Sequence, residues 1–137
     1  MHPDLKPGLR HVHAFEVPRS KTVPALYPES PEFLAMPEVF ATGFLVGFLE
    51  WACICALMPY LDWPREMTLG TRIDVSHEAP TPPGRTVTAT VALREVAGRR
   101  LVFDVEAHDG VALISRGTHE RHVILRDNFL ARLGTAT

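Results

Sequence analysis

Residues 37–59 read PEVFATGFLVGFLEWACICALMP, and this stretch decides the fold. Between its two terminal prolines the only clearly polar side chains are Glu38, Thr42 and Glu50, so the pattern predicts one long helix over about residues 38–58. Its length approaches that of a membrane span. A glutamate at mid-bilayer costs about 3 kcal/mol, and the flanks show no lysine or arginine asymmetry. The helix is therefore read as one covered by protein on nearly every side, not as a span.

The twelve prolines organise the rest: seven lie between Pro3 and Pro37, five between Pro59 and Pro83, and none follows. Residues 9–17, with Val12, Ala14 and Phe15, predict a strand that ends at Pro18. Residues 22–37 are broken by Pro24, Pro28, Pro31 and Pro37. Within them Ser30-Pro31-Glu32 looks like an N-cap followed by proline at the first helical position, which predicts a lid-like loop with a short helix. From residue 70 the period becomes two. Ile73, Val75, His77 and Ala79 share one face, while Asp74, Ser76 and Glu78 share the other.

A second strand places Val87, Ala89, Val91 and Leu93 inward, and after a turn at Gly98 its partner presents Leu101, Phe103, Val105 and Ala107. Asp109-Gly110 predicts a two-residue hairpin, with the last strand running from Val111 to about Leu125. A helix apolar all round, followed by four antiparallel strands, predicts an α+β hot-dog fold: one long central helix wrapped by a curved antiparallel sheet. At 137 residues the chain is expected to form a single domain, with the lid at about 22–37, the helix at 38–58 and strands over 70–125.

The net charge of -2 and the lack of a basic run interleaved with aromatics argue against nucleic acid as a partner. The two cysteines, Cys53 and Cys55, point to nearly opposite sides of a helix, which excludes a bond between them and suggests inert, buried thiols. The start of the chain lacks the features of a secretory signal, so a cytoplasmic location is expected. His11 and His13 share a face, as do His119 and Arg121, with His122 opposite. No cysteine and histidine spacing of a zinc site appears, so neither a metal nor a cofactor is expected.

Three residues stand out chemically. His77 lies on the face aimed at the helix, and the bland alternative is a buried histidine with one backbone hydrogen bond. Glu50 is the one acid inside the apolar part of the helix, where a carboxylate needs a partner. The pattern offers His77 or a hydroxyl for that role, and a structural ion pair is the alternative. Thr42, near the helix start, either caps the backbone or meets a ligand. Eight residues of helix span about 12 Å, so Thr42 and Glu50 cannot bond within one chain if both are helical. They then meet across a dimer, or Thr42 precedes the regular helix. Gly43 and Gly47 imply close approach of another backbone or a ligand, and Gly70 is a candidate oxyanion donor or a simple turn glycine.

Several stretches together resemble a known family: Lys21-Thr22-Val23, Leu26-Tyr27-Pro28-Glu29-Ser30-Pro31-Glu32-Phe33, Pro37-Glu38-Val39-Phe40-Ala41 and Glu50-Trp51-Ala52-Cys53. Further along, Leu69-Gly70-Thr71, Thr81-Pro82-Pro83-Gly84, Ala107-His108-Asp109-Gly110 and Gly117-Thr118-His119-Glu120-Arg121 extend the likeness over nearly the whole chain. The family is that of the fluoroacetyl-CoA thioesterases. The resemblance implies a hot-dog homodimer, its site near the dimer interface, that hydrolyses an acyl-CoA through a threonine, a glutamate and a histidine. These fall on Thr42, Glu50 and His77.

Val23, Leu26, Phe33, Met36 and Gly70 become the expected substrate-binding residues, with Met36 standing where the family pairs a second lid phenylalanine with Phe33. The segment Asp62 to Thr68 is one residue longer than the family pattern. Arg121, at the end of the last strand, is the candidate contact for the CoA phosphates, against a surface salt bridge. Hydrolysis of fluoroacetyl-CoA is the leading reading. Another small acyl-CoA is the runner-up, and a non-catalytic CoA-binding protein is the alternative from a different class.

Overall fold

The alternation in residues 86–97 and 100–108 determines where the helix lies, because each of these strands buries one face completely. In the computed structural model, which describes residues 1–135, Val87, Ala89, Val91 and Leu93 and their neighbours Leu101, Phe103, Val105 and Ala107 form that face. Five antiparallel strands make one sheet: β1 (Arg10–Glu16), β2 (Glu66–Val75), β3 (Thr86–Ala97), β4 (Arg100–His108) and β5 (Leu113–Leu125). Their spatial order is β1-β3-β4-β5-β2. Register shifts at Leu93/Glu95, Gly70/Arg72 and Ala107/His108 add local twist, which helps the sheet curve around what it covers.

Ahead of β2 come a short helix, α1 (Pro31–Leu34), and the long one, α2 (Thr42–Leu57); α3 (Arg126–Thr135) follows β5. Leu45, Phe48, Leu49, Ala52, Cys53, Ala56 and Leu57 of α2 are buried against the sheet. Each large side chain among them contributes about 1.5–3 kcal/mol by leaving water. The segment Thr42–Tyr60 is long and apolar enough to cross a membrane by composition, yet here it forms the core. Burial pushes the Cys53 thiol up to about 12, whereas Cys55 is only half-buried, contrary to the expectation of two buried thiols.

The helix begins at Thr42 and not at residue 38. Residues 37–41 stay out of it because loop partners take their backbone groups: Phe40 N donates to Thr81 O at 2.8 Å and Ala41 N to Lys21 O at 3.1 Å. The lid helix starts as expected, with Ser30 Oγ accepting from Phe33 N at 3.2 Å. Strand β2 starts at Glu66, earlier than residue 70, and its first inward residues are the buried Glu66 and Thr68, a polar pattern that conceals a strand. It ends at Val75, so His77 and Ala79 follow in a loop, and Ile73 is 38% exposed instead of facing the helix. The inward face of β1 consists of His11, His13 and Phe15, while Val12 and Ala14 point out. Helix α3 has no counterpart in the sequence reading.

The hairpin between β4 and β5 has four loop residues in place of the expected two, and Asp109 organises them. Its carboxylate accepts from Val111 N and Ala112 N, each at 2.9 Å, from Thr81 Oγ1 at 2.9 Å and from Arg85 Nη1 at 3.2 Å. Burial alone pushes this carboxyl up, but the hydrogen bonds together outweigh it and hold the pKa at about 2 against an ordinary 3.8. Because the folded value is the lower one, the stabilisation is complete above 3.8 and fades as pH falls through about 2. Asp109→Asn is expected to cost about 2 kcal/mol at neutral pH in urea unfolding, with its deficit relative to the parent shrinking as the pH is lowered through that window.

Candidate active site

Thr42 is the first residue of α2, and the residue before it, Ala41, has no side chain able to cap. The helical ladder opens with Leu45 N donating to Ala41 O at 2.8 Å, so the amides of Thr42, Gly43 and Phe44 have no partner within the helix. The threonine hydroxyl does not cap them either. It meets His77, with Oγ1 and Nδ1 2.7 Å apart.

His77 is held from both sides. Ser76 N donates to Arg116 O at 3.0 Å and Glu78 N to Ile114 O at 2.7 Å, which continues the antiparallel pairing with β5 beyond the end of β2. With its neighbours tied to β5, the imidazole between them projects toward the start of α2 and sits beside a cleft of about 260 Å³ lined by Val23, Val39, Phe40 and Ala79. Burial holds its pKa below the ordinary value. The nearby Ala79 backbone opposes this in part without forming a hydrogen bond of ordinary geometry, and Nε2 is buried with no partner among the described residues. A neutral imidazole bonded to a hydroxyl beside free helix amides is suited to proton transfer at a reacting carbonyl.

Glu50 belongs to a second cluster. Its Oε1 accepts from Arg121 Nη1 at 3.0 Å, and Arg121 in turn donates from Nε to Thr68 Oγ1 at 2.8 Å and from Nη2 to Thr68 O at 2.9 Å. Arg121 Nη1 also meets His119 Nε2 at 3.0 Å, and His119 Nδ1 lies 2.7 Å from Arg72 O. A guanidinium only donates, so His119 accepts at Nε2, carries its proton on Nδ1 for the Arg72 carbonyl, and is neutral. Consistent with this, burial first and Arg121 second lower its pKa, and the Arg72 carbonyl opposes them.

Gly70 makes room for the cluster. A side chain there would place its Cβ 2.5 Å from Glu50 Oε1, 3.2 Å from His119 Cε1 and 3.3 Å from Arg121 Nη1. Space, not an unusual backbone angle, is what requires glycine at this point. Glu50, Gly70 and His119, with Val46, Thr71, Arg72 and Ile73, line a cleft of about 310 Å³.

The structure thus brings Thr42 and His77 together and leaves Glu50 about 12 Å along the helix from Thr42. The expected partner of Glu50, a histidine or hydroxyl, is corrected to Arg121. The placement of Arg121 at the surface is corrected too, since its side chain is 3% exposed. The signal for this was present: His119, Arg121 and the apolar Val123 alternate on one face of β5. Of the lid residues, Val23 lines the cleft at His77, and Leu26 packs its methyl groups where a Gly43 side chain would stand. Phe33 lies against Tyr27 with ring centroids 5.5 Å apart, and Met36 is 50% exposed.

The family model described as fluoroacetyl-CoA-specific thioesterase matches residues 24–127. The chain belongs to that family. A fluoroacetyl-CoA thioesterase from Streptantibioticus cattleyicolor is 57% identical over 133 residues, covering 97% of this chain and 95% of that protein. The T42S mutant of a fluoroacetyl-CoA thioesterase, solved in complex with acetyl-CoA, superposes with a TM-score of 0.94 at 56% identity over 97% of this chain and 99% of that one. A hot-dog-like protein from Thermanaerovibrio acidaminovorans shares the fold, with a TM-score of 0.79 at 24% identity over 98% and 93% of the two chains. The anticipated hot-dog architecture is thereby shown.

In this member of the family, removing the buried cation isolates Glu50 and strands Thr68. Arg121→Met is expected to lower the unfolding free energy by about 2–3 kcal/mol in a denaturant titration, mainly through the stranded acceptors of Thr68 and His119, because Glu50, 38% exposed, is rehydrated. Arg94→Met, which breaks a pair whose side chains are both more than half exposed, should leave the midpoint nearly unmoved.

Proposed function

We propose that the chain hydrolyses fluoroacetyl-CoA to fluoroacetate and CoA as a homodimer, with Thr42, His77 and Glu50 as its catalytic residues. The observation that carries this reading is the 2.7 Å contact between Thr42 Oγ1 and His77 Nδ1 at the uncapped start of α2, in a chain that aligns over 97% of its length with a fluoroacetyl-CoA thioesterase. His77, kept neutral by burial, takes the Thr42 proton as Oγ1 attacks the thioester carbonyl carbon. The C–S bond then breaks and CoA leaves with that proton; water, activated by the same imidazole, releases the acid. The free amides at the start of α2, at the positive end of the helix, face the charge that develops on the carbonyl oxygen, and the Gly70 amide is a further donor.

Two features support a second copy of the chain at the site. Among the described residues the outer edge of β2 is unpaired, with Leu69 39% and Ile73 38% exposed, an arrangement that a second β2 would close. Gly47 also sits mid-helix, where glycine costs about 1 kcal/mol, with nothing within 4 Å of its missing side chain, so the helix keeps a flat face for a neighbour. In such a dimer Glu50 of one copy attends the Thr42–His77 pair of the other and balances the imidazolium that forms during turnover.

Val23, Leu26, Phe33 and Met36 then enclose a small acyl group. Methionine at 36 adapts its shape more readily than an aromatic ring, which favours as a second reading another small acyl-CoA in place of the fluorinated one. With fluoroacetyl-CoA as substrate the enzyme is a cytoplasmic detoxifying, resistance-conferring hydrolase that needs no metal or cofactor for this reaction and no membrane or nucleic-acid partner. Arg121, buried beneath Glu50, positions that carboxylate and does not reach the CoA phosphates.

Thiol release from fluoroacetyl-CoA and acetyl-CoA, followed side by side, is expected to give the larger kcat/KM for the fluorinated substrate, and Thr42→Val and His77→Gln should each lower it about 100-fold or more with the fold retained. Equal rates would establish the broader thioesterase, and release from no acyl-CoA would overturn the enzyme. A mixture of inactive Thr42→Val and Glu50→Gln chains, unfolded and refolded together, is expected to regain activity that neither has alone, because one site per mixed dimer then has both residues intact. No regain would place Glu50 in service of its own chain.

A further inference from the structure

Away from both clefts, one group of side chains on the far edge of the sheet has metal-ligating chemistry that thioester hydrolysis does not use. We propose that His11 and His13 of β1 together with Cys55 of α2 form a binding site for a thiolate-preferring divalent cation of the zinc type. One ligand atom from each residue, an imidazole nitrogen or the sulfur, lies within 4.8 Å of the other two, and all three residues are half-buried. In a tetrahedral zinc site ligand atoms lie about 3.4–3.6 Å apart, so side-chain rotations of roughly 1 Å close the triad without moving either backbone.

The arrangement follows from the local structure. His11 and His13, two apart on a strand, share its inward face, and their rings lie 6.3 Å apart at an interplanar angle of 24°. Trp51 packs edge-on against the His13 ring at 4.1 Å and Phe48 lies at 5.8 Å, so the imidazole is oriented by apolar neighbours. Buried among them, His13 Nε2 has no hydrogen-bond partner among the described residues, which is costly for a nitrogen unless something else satisfies it.

Two imidazoles and one thiolate select zinc, cobalt or copper over magnesium or calcium, which prefer oxygen. Three protein ligands leave the fourth position to water. Cys55 stands thirteen residues beyond Thr42 on α2, roughly 20 Å along the axis, so such an ion does not reach the Thr42–His77 pair of its own chain. Its effect is to tie the edge strand to the helix. No sequence spacing announces the site, because the cysteine and the histidines come from separate elements that only the fold brings together.

The test uses the full chain, stripped with a chelator, reduced, and titrated with Co²⁺ and then Zn²⁺. The expected result is one Co²⁺ per chain, with the intense visible bands of a tetrahedral site and a thiolate-to-cobalt charge-transfer band in the near ultraviolet, all displaced by Zn²⁺. Cys55→Ser should abolish the charge-transfer band and weaken zinc binding, measured against a chromophoric competitor, at least tenfold. Cys53→Ser should leave the band in place. Zinc should raise the thermal midpoint of the parent and not that of Cys55→Ser. His13→Gln should likewise lose tight binding; if that variant fails to fold, His11→Asn, which leaves the Trp51 contact untouched, takes its place. No charge-transfer band in the parent, or zinc affinity unchanged in Cys55→Ser, would overturn the proposal and assign any bound metal to surface histidines.

Discussion

A helix that is apolar around nearly its whole circumference has to be enclosed, and almost everything else in this chain answers that requirement. Strands β3 and β4 supply the flat apolar face beneath α2, and the bulges help bend the sheet around it. With those sides covered, only the two ends of the helix and one flank are left open to other groups. Thr42 occupies one end, Cys55 lies toward the other, and Glu50 projects from the flank. Polar chemistry is concentrated where enclosure stops.

The second constraint is the cation placed under that flank. A guanidinium with 3% of its side chain exposed is tolerable only if its donors are met, and Thr68, His119 and Glu50 meet them. Glu50 is therefore fixed from below by a charge and from above by the absence of a side chain at Gly70. Its carboxylate, 38% exposed, is held rigidly toward the surface cleft. The same network makes His119 a neutral acceptor for Arg121, whereas His77 contacts the Thr42 hydroxyl.

Where one face of a strand is wholly apolar the sequence is readable, which is why the inward residues of β3 and β4 and the Ser30 cap were legible. Legibility fails where polar residues point inward. Glu66 and Thr68 hid the first turn of β2, and two histidines hid the true inward face of β1. Thr42 and His77 could be nominated singly, the one by its place on a helix and the other by alternation, but their contact depends on how the loop after β2 continues its pairing with β5. A cation near a strand end ordinarily lies in water, so position alone points Arg121 outward; its alternation with Val123 is the stronger sign. Helix α3 runs on directly from the apolar end of β5, Val123-Ile124-Leu125, with no proline or glycine between them to mark the change, and Phe129, Leu130 and Leu133 make only a short apolar stripe.

The start of α2 has no cap of its own, and its position is set from elsewhere. Phe40 is tethered through its amide to Thr81, and the Thr81 hydroxyl is tethered to Asp109 in the β4–β5 loop. Hairpin loops are usually where a lineage accumulates insertions and deletions at little penalty. Here a change of one residue in that loop would be transmitted through Asp109 and Thr81 to the turn that carries Thr42. A loop on one side of the molecule is thus as constrained in length as the cleft itself, and variation in this family should be sought in its surface strands and not in that hairpin.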